Sequence, residues 1–253
     1  MAVRETLSKG SRGLVELFAG PFRELFQGLD AVLRSGVRSL LLVGVGLIAG
    51  WWIYVPAHEL LHAFGCWAAG GEVSRLEIDP MYGAFGLARI FPFVSPGGAY
   101  AGRLSGFDTR GSDWIYWMTD LAPFALALFP GFWWLRKAAR AGRAGIFGAA
   151  LPTACAPLLS LSGDAYEMGS LAVVHLPFWQ GRRVLVGDDL GAKATEIAGL
   201  GDPGLLAGVT LAALLGLLWA FAWMLLARRL ASALGEPALE ERAPGAVQHA
   251  GSG

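Results

Sequence analysis

Charged residues are scarce in this chain of 253 residues, where Asp, Glu, Lys and Arg make up 16%, against about 25% in a soluble domain. The formal net charge is zero, so no field of one sign points to nucleic acid as a partner. The two cysteines, Cys66 and Cys155, lie inside apolar runs and form no disulfide framework. Hydrophobic residues reach 55%, with a mean hydropathy of +0.50. This composition predicts an integral membrane protein and argues against an ordinary cytosolic enzyme or a disordered chain.

Apolar runs approach, in four places, the roughly 20 residues that a membrane-spanning helix needs. We therefore predict an all-α integral membrane protein whose core, residues 37–227, has about four transmembrane helices. Their expected ranges are residues 37–69, 114–135, 145–174 and 205–227. The Gly/Ala/Ser-rich residues 228–253 are predicted to form a disordered cytoplasmic tail.

The N-terminal segment, residues 1–36, has an apolar residue at every third or fourth position, which is one face of a helix. The stripe consists of Phe18, Phe22, Leu25, Leu29 and Val32. Three charged residues fall off the stripe: Arg23, Glu24 and Asp30. We predict an amphipathic helix that lies on the membrane surface or packs on the bundle.

Clusters of Lys and Arg precede the first predicted span, separate the second from the third, and follow the fourth. With four spans, all three clusters fall on one side, so the positive-inside rule predicts that both termini are cytoplasmic. Arg outnumbers Lys 17 to 3 and Ala and Gly are abundant, which indicates a GC-rich bacterial genome. The expected location is therefore a bacterial inner membrane.

One motif in the first predicted span carries metal chemistry: His-Glu-Leu-Leu-His, residues 58–62. Two histidines four positions apart lie one above the other on a helix, so both imidazoles can reach one Zn²⁺ ion. Glu59 is displaced by about 100° and would lie beside the metal as a base for a bound water. The alternative is a pair of buried histidines, His58 and His62, that only form hydrogen bonds to neighbouring helices.

A catalytic zinc site needs a third protein ligand and an open position, and ionisable residues inside spans are the candidates. We predict Asp164, because it lies about as far from the cytoplasmic clusters as the two histidines do. Glu167, one turn later, is the rival ligand, or a partner that orients Asp164. Asp120 is a weaker candidate, either bonded to a histidine's outer nitrogen or making a polar contact near the helix break at Pro123.

At these residues the sequence resembles the site-2 proteases, a family of intramembrane zinc metalloproteases. The likeness rests on the metal motif and on the positions that follow it, where the family has a small residue, a glycine, a valine and an apolar residue. Here those positions hold Cys66, Gly70, Val73 and Ile78. The resemblance implies that the substrates are transmembrane or membrane-adjacent segments of other proteins.

The family's second motif, Asn-x-x-Pro followed by Asp-Gly, is only partly matched. Pro157 and Asp164 resemble it, but Ala154 stands at the Asn position, and Gly163 precedes the Asp instead of following it. Asp164 also lies two residues farther from the proline than the pattern has it, and Leu61 replaces the usual glycine inside the metal motif.

The segment after the first span, residues 81–102, is rich in glycine and aromatic residues. In the family a hairpin at this place is thought to pair with an unwound substrate strand, and an ordinary surface loop is the alternative. No individual residue is assigned to substrate binding.

The sequence thus predicts a zinc-dependent intramembrane endopeptidase in which Glu59 is catalytic and His58, His62 and Asp164 bind Zn²⁺. Its expected partners are a membrane-protein substrate and the lipid bilayer, and no nucleic acid. Two other functions stay open: an inactive membrane zinc-binding or scaffold protein, and a metal transporter.

Overall fold

A computed structural model of the chain describes residues 2–187 and 189–239, with side chains from residue 18 onward. Of these described residues, 71% are helical. In chain order the elements are α1 (Ala2–Leu33), α2 (Val37–Ala68), β1 (Glu72–Ile78), α3 (Ala84–Ile90), β2 (Val94–Pro96), β3 (Gly102–Asp108), α4 (Asp113–Leu121), α5 (Phe132–Arg140), α6 (Ala144–Ala154), α7 (Ala156–Leu159), α8 (Asp164–Val173), α9 (Leu190–Leu200) and α10 (Pro203–Ala233).

Three helical stretches of the described residues are long and apolar enough to cross a membrane: Val37–Ala68, Asp113–Arg140 and Pro203–Ala233. The middle one runs from α4 to α5 through a 3-10 turn and a π-helical turn. In the most apolar 18 residues of α2 and α10, 28% and 33% are buried. Most of these apolar residues therefore face outward, which is what a lipid environment favours. The chain is a membrane protein by this criterion.

The predicted third span, residues 145–174, is not one helix but three, α6, α7 and α8. Pro152 lies inside α6, Pro157 lies in the first turn of α7, and polar residues follow at 160–164. Proline removes backbone donors and ends helices, so this apolar stretch folds in short pieces. At about 1.5 Å per residue, α6 is roughly 16 Å long, about half of a bilayer core. The count of four crossings stays a prediction.

The all-α prediction missed a sheet of three strands between α2 and α4, in the order β2-β1-β3. β1 pairs with β2 in parallel and with β3 antiparallel. Leu76 and Ile78, two positions apart on β1, are fully buried against the α2 residues Tyr54 and Val55. This period of two is what a strand with one buried face requires.

Contact between α2 and α6 is close enough for their backbones to touch. A Cβ at Gly148 would lie 2.1 Å from the carbonyl oxygen of Val43, and one at Gly50 would lie 2.3 Å from that of Ala149. Small residues allow this approach, the usual way in which membrane helices pack. A close backbone contact of the same kind joins α8 to α10, where a Cβ at Gly169 would lie 2.1 Å from the carbonyl oxygen of Ala212. These contacts fix the two helices that carry the candidate ligands.

The predicted stripe of α1 packs on the bundle. Phe18 and Phe22 contact the ring of Phe221 on α10, with centroids 5.1 and 5.7 Å apart. Leu25 and Leu29 pack against the core, and Val32 is 2% exposed.

Glu24 was expected off the apolar stripe of α1, yet it is 2% exposed. Arg136 on α5 donates two hydrogen bonds to its carboxylate, and Nε of Arg228 on α10 donates a third, at 2.6 Å. Paired in this way, the carboxylate can be buried where an isolated charge could not. The contact ties α1 to two other helices.

The last helix extends beyond the predicted span end at residue 227, because Ala227 and Ala231 continue its buried face. Residues 234–239 follow it in contact with the bundle. The side chain of Glu236 pairs with Arg140, and its backbone carbonyl accepts a hydrogen bond from Arg136. The predicted disordered tail, residues 228–253, is therefore wrong for 228–239. Residues 240–253 lie outside the described residues.

We expect Gly148→Ala to lower the free energy of unfolding by about 1–3 kcal/mol, because the added methyl forces α2 and α6 apart. Gly44→Ala on α2 is the matched control, since a Cβ there meets nothing within 4 Å, and it should be neutral or stabilising by up to about 1 kcal/mol. Unfolding in mixed detergent micelles measures both. Equal effects would show that the close contact does not set the packing.

Candidate metal centre

Two histidines of α2 face the interior of the bundle one helical turn apart. His58 and His62 are each 8% exposed, and their Nε2 atoms lie 3.2 Å from each other. The backbone of α4 contacts His62, so the apolar helix α2 presents two imidazoles to the interior of the bundle.

Asp164, the first residue of α8, completes a cluster with these histidines. One carboxylate oxygen lies 3.3 Å from Nε2 of His58 and the other lies 3.4 Å from Nε2 of His62. The ligand atoms of the three residues all lie within 4.8 Å of one another. The structure thus brings together the three predicted ligands from two helices that are separated by about a hundred residues.

The separation of the two imidazole nitrogens fits a tetrahedral metal ion. With zinc–ligand bonds of about 2.0–2.1 Å, ligand atoms at the corners of a tetrahedron lie about 3.3–3.4 Å apart. The two Nε2 atoms, 3.2 Å apart, are close to that edge length, and Asp164 approaches each of them with a different carboxylate oxygen. The Oδ2 atom of Asp164 is also buried without a hydrogen bond among the described residues, and a metal would satisfy it. His58, His62 and Asp164 could therefore hold a metal ion.

Hydrogen bonds to the outer ring nitrogens orient both imidazoles. Nδ1 of His62 lies 2.9 Å from the backbone oxygen of Thr119. A carbonyl only accepts, so this nitrogen carries the proton of the neutral ring and Nε2 directs its lone pair at the cluster. Nδ1 of His58 lies 3.0 Å from the hydroxyl of Tyr54. Such outer contacts are the usual support of metal-binding histidines.

Sequence reasoning missed both of these supporting residues. Tyr54 precedes His58 by four positions on the same helical face, and that spacing was a usable signal. Thr119 acts through its backbone carbonyl, which any residue type supplies, so the residue type at this position does not reveal the contact. Asp120 was considered for this role, but the oxygen that contacts His62 belongs to the preceding residue.

Glu59 lines the same cleft as the three candidate ligands. Strand β3 packs directly on it: a Cβ at Gly102 would lie 2.3 Å from Cγ of Glu59. Only glycine allows this approach, so the strand and the carboxylate are held together beside the histidines. Sequence reasoning also missed this contact, although Gly102 is the last residue of the glycine-rich segment, residues 81–102.

The cleft has a volume of about 280 Å³ and also receives the two remaining predicted residues, Asp120 and Glu167. Glu167 accepts a hydrogen bond from the hydroxyl of Tyr116. It does not belong to the cluster of potential ligands among the described residues, so Asp164 rather than Glu167 meets the histidines. Asp120, 5% exposed, lies on the same face of α4 as Tyr116.

One wall of the cleft is formed by β3, an edge strand. It pairs with β1 on one side, and no described strand pairs with its other side. Gly102, Arg103, Leu104 and Phe107 of β3 all line the cleft. An extended peptide added at this edge would therefore run past the histidines and Glu59.

Comparison of the chain with protein-family models, with curated proteins and with solved structures finds no match. The resemblance to site-2 proteases therefore depends on the motif residues alone and stays a prediction.

The two candidate third ligands should differ in a zinc-binding measurement. Asp164→Asn removes a charged oxygen from the cluster, and we expect it to weaken Zn²⁺ binding by at least about 100-fold, whereas Glu167→Gln should change it by less than about 10-fold. Competition with a chromophoric chelator measures both affinities. The opposite order would assign the ligand role to Glu167.

Tyr54→Phe should weaken Zn²⁺ binding by about 10–100-fold, because His58 loses the hydroxyl that orients its ring. Tyr82→Phe is the matched control. Its hydroxyl accepts a hydrogen bond from Trp51 at 3.2 Å, away from the cluster, and its loss should leave the affinity unchanged. If the two variants bind zinc alike, the Tyr54 contact does not support the site.

Proposed function

We propose that this chain is a zinc-dependent intramembrane endopeptidase that hydrolyses peptide bonds in or near transmembrane segments of membrane proteins. The observation that carries the proposal is the convergence of His58, His62 and Asp164 in a cleft that also contains Glu59. The His-Glu-x-x-His spacing is that of zinc peptidases in which the histidines bind the metal and the glutamate is the base.

His58, His62 and Asp164 would hold the zinc ion. When bound, the ion would supply a Lewis acid that acidifies water and polarises a peptide carbonyl. Glu59 would accept the proton of the attacking water and return it to the departing amine, so that a carboxylate serves first as base and then as acid. Tyr54 and the backbone of Thr119 keep the two imidazoles in place throughout.

The substrate would bind as an extended strand. A transmembrane helix hides its carbonyls in hydrogen bonds, so a segment must unwind before Glu59 and a water can reach one. The open edge of β3 offers backbone donors and acceptors to such a segment. Because Gly102 lies against Glu59, the carbonyl groups of a substrate strand paired with β3 would lie along the cleft.

Location and orientation follow the charge pattern of the sequence. We place the protein in a bacterial inner membrane with cytoplasmic termini, as the positive-inside rule predicts for four crossings. The third crossing would then consist of α6, α7 and α8 together, with irregular backbone buried among the other helices, where it is tolerated.

A second candidate is a membrane zinc-binding or scaffold protein without turnover. It is favoured by Ala154, which stands where the resembled family has asparagine. This residue is fully buried against Gly131, so no polar group at that position is available to a substrate. A metal transporter is a third possibility, and the assay below separates the three.

Glu59→Gln should lower the rate of cleavage by about 10²–10⁴-fold, because the base is lost, while the zinc content stays at one equivalent. The assay uses the full chain in proteoliposomes with a panel of membrane segments, and mass spectrometry of the products. Glu72→Gln is the control, an exposed carboxylate that pairs with Arg110, and it should cleave at the wild-type rate.

Two outcomes would contradict the peptidase proposal. A wild-type protein that binds zinc and cuts no segment of the panel would favour the scaffold. Zinc flux across the liposome membrane that survives Glu59→Gln would favour the transporter.

A further inference from the structure

Beside the candidate metal centre lies a buried carboxylate that the proposed reaction does not use. Asp120 on α4 is 5% exposed, and its Oδ2 atom has no hydrogen-bond partner among the described residues. A buried polar oxygen without a partner is unfavourable. The residue lines the cleft, so a group that enters the cleft can provide the missing contact.

Glu167 lies in the same part of the cleft as Asp120. It is one turn past Asp164 on α8, and the hydroxyl of Tyr116 donates to its carboxylate. Tyr116 and Asp120 are four positions apart on α4, so both residues face α8. Asp164 lines the same cleft as Asp120 and Glu167. The pair of carboxylates therefore attracts positive charge.

Negative charge dominates the cleft as a whole. Its described lining includes a single basic side chain, Arg103, which lies over the ring of Tyr100 at 5.6 Å. Against it stand the carboxylates of Glu59, Asp120, Asp164, Glu167 and Asp189. Acidic groups would outnumber the positive charges even with a divalent ion at the histidines, so the cleft suits a second positive group.

The position of Asp120 indicates where that group would sit. The residue before it, Thr119, holds His62 through its backbone oxygen, so Asp120 is next to the candidate metal centre along α4. In a cleft of about 280 Å³, a group bound there would lie beside any peptide bond at the histidines.

We propose that Asp120 and Glu167 form a subsite that binds the Lys or Arg side chain of a substrate segment next to the bond that is cut. The inference rests on the proposed endopeptidase function and adds a substrate preference to it. A Lys or Arg inside a membrane segment is unfavourable at the bilayer centre, and two carboxylates would offset part of this cost. A second zinc ion fits less well, because zinc prefers nitrogen and sulfur ligands and both imidazoles already belong to the first site.

The test uses pairs of otherwise identical membrane segments that carry either Lys or Met at one position, moved stepwise along the residues around the cut. We expect the wild-type protein to cleave the Lys form at least about 10-fold faster in kcat/KM at one position, equivalent to about 1.4 kcal/mol. Asp120→Asn should reduce this ratio below about 3-fold. Because the readout is a ratio for each protein, a general loss of activity cancels.

Glu196→Gln is the matched control. Its carboxylate pairs with Lys193 on α9, outside the cleft, so the ratio should stay at the wild-type value. A binding measurement covers variants that cleave too slowly to assay. In the zinc-loaded Glu59→Gln variant, the labelled Lys segment should have a lower Kd than the Met segment, and adding Asp120→Asn should reduce this difference.

The outcomes separate the subsite from the reaction. Cleavage of Lys and Met segments at equal rates at every position would overturn the subsite and leave the peptidase intact. Absence of all cleavage, with tighter binding of the Lys segment that depends on Asp120, would overturn the peptidase and support the subsite. A second zinc equivalent that disappears in Asp120→Asn would make this a metal site and overturn the proposal.

Discussion

Three groups that could hold a metal ion meet in the middle of this molecule, two imidazoles from one helix and a carboxylate from another. Nε2 of His62 points its lone pair inward, because its other nitrogen donates to a carbonyl. Nε2 of His58 is 3.2 Å away, and the carboxylate of Asp164 lies opposite both. Away from bulk water, such groups repel one another unless a cation joins them. Tyr54 and the backbone of Thr119 contact the two imidazoles, and Gly102 packs on the Glu59 beside them.

Close helix packing supplies the rigidity that the cluster needs. Glycines on α6 hold the helix that carries the histidines, and glycines on α8 and α10 hold the helix that carries Asp164. In a membrane, where lipid and side chains are equally apolar, such backbone contacts are a main source of helix association. The sheet then brings β3 over the cluster from outside the bundle. A buried centre and an open strand edge are combined in one small protein.

The sequence predicted best what is encoded locally. His58 and His62 follow from helical spacing alone, and Asp164 followed from counting residues along the membrane normal. The third predicted span is longer than one crossing and has polar interruptions, so a bend was expected, but its division into three helices was not, because average hydropathy over residues 145–174 conceals the effect of Pro152 and Pro157. The sheet was predicted only as a loop or hairpin, since its strands pair over long separations. The oxygen of Thr119 and the burial of Glu24 depend on distant partners and left no pattern in the chain.

The burial of Glu24 also constrains how the molecule assembles. Its two arginine partners lie 112 and 204 residues farther along the chain, so during translation the carboxylate is made long before either guanidinium. Until Arg136 emerges, α1 has an unneutralised acid on the surface that will become its interior face, and until α10 emerges the second guanidinium is missing. Closure of the bundle is thus coupled to the synthesis of α10, and a ribosome-bound fragment that ends before α10 carries its amino-terminal helix without one of the two groups that anchor it.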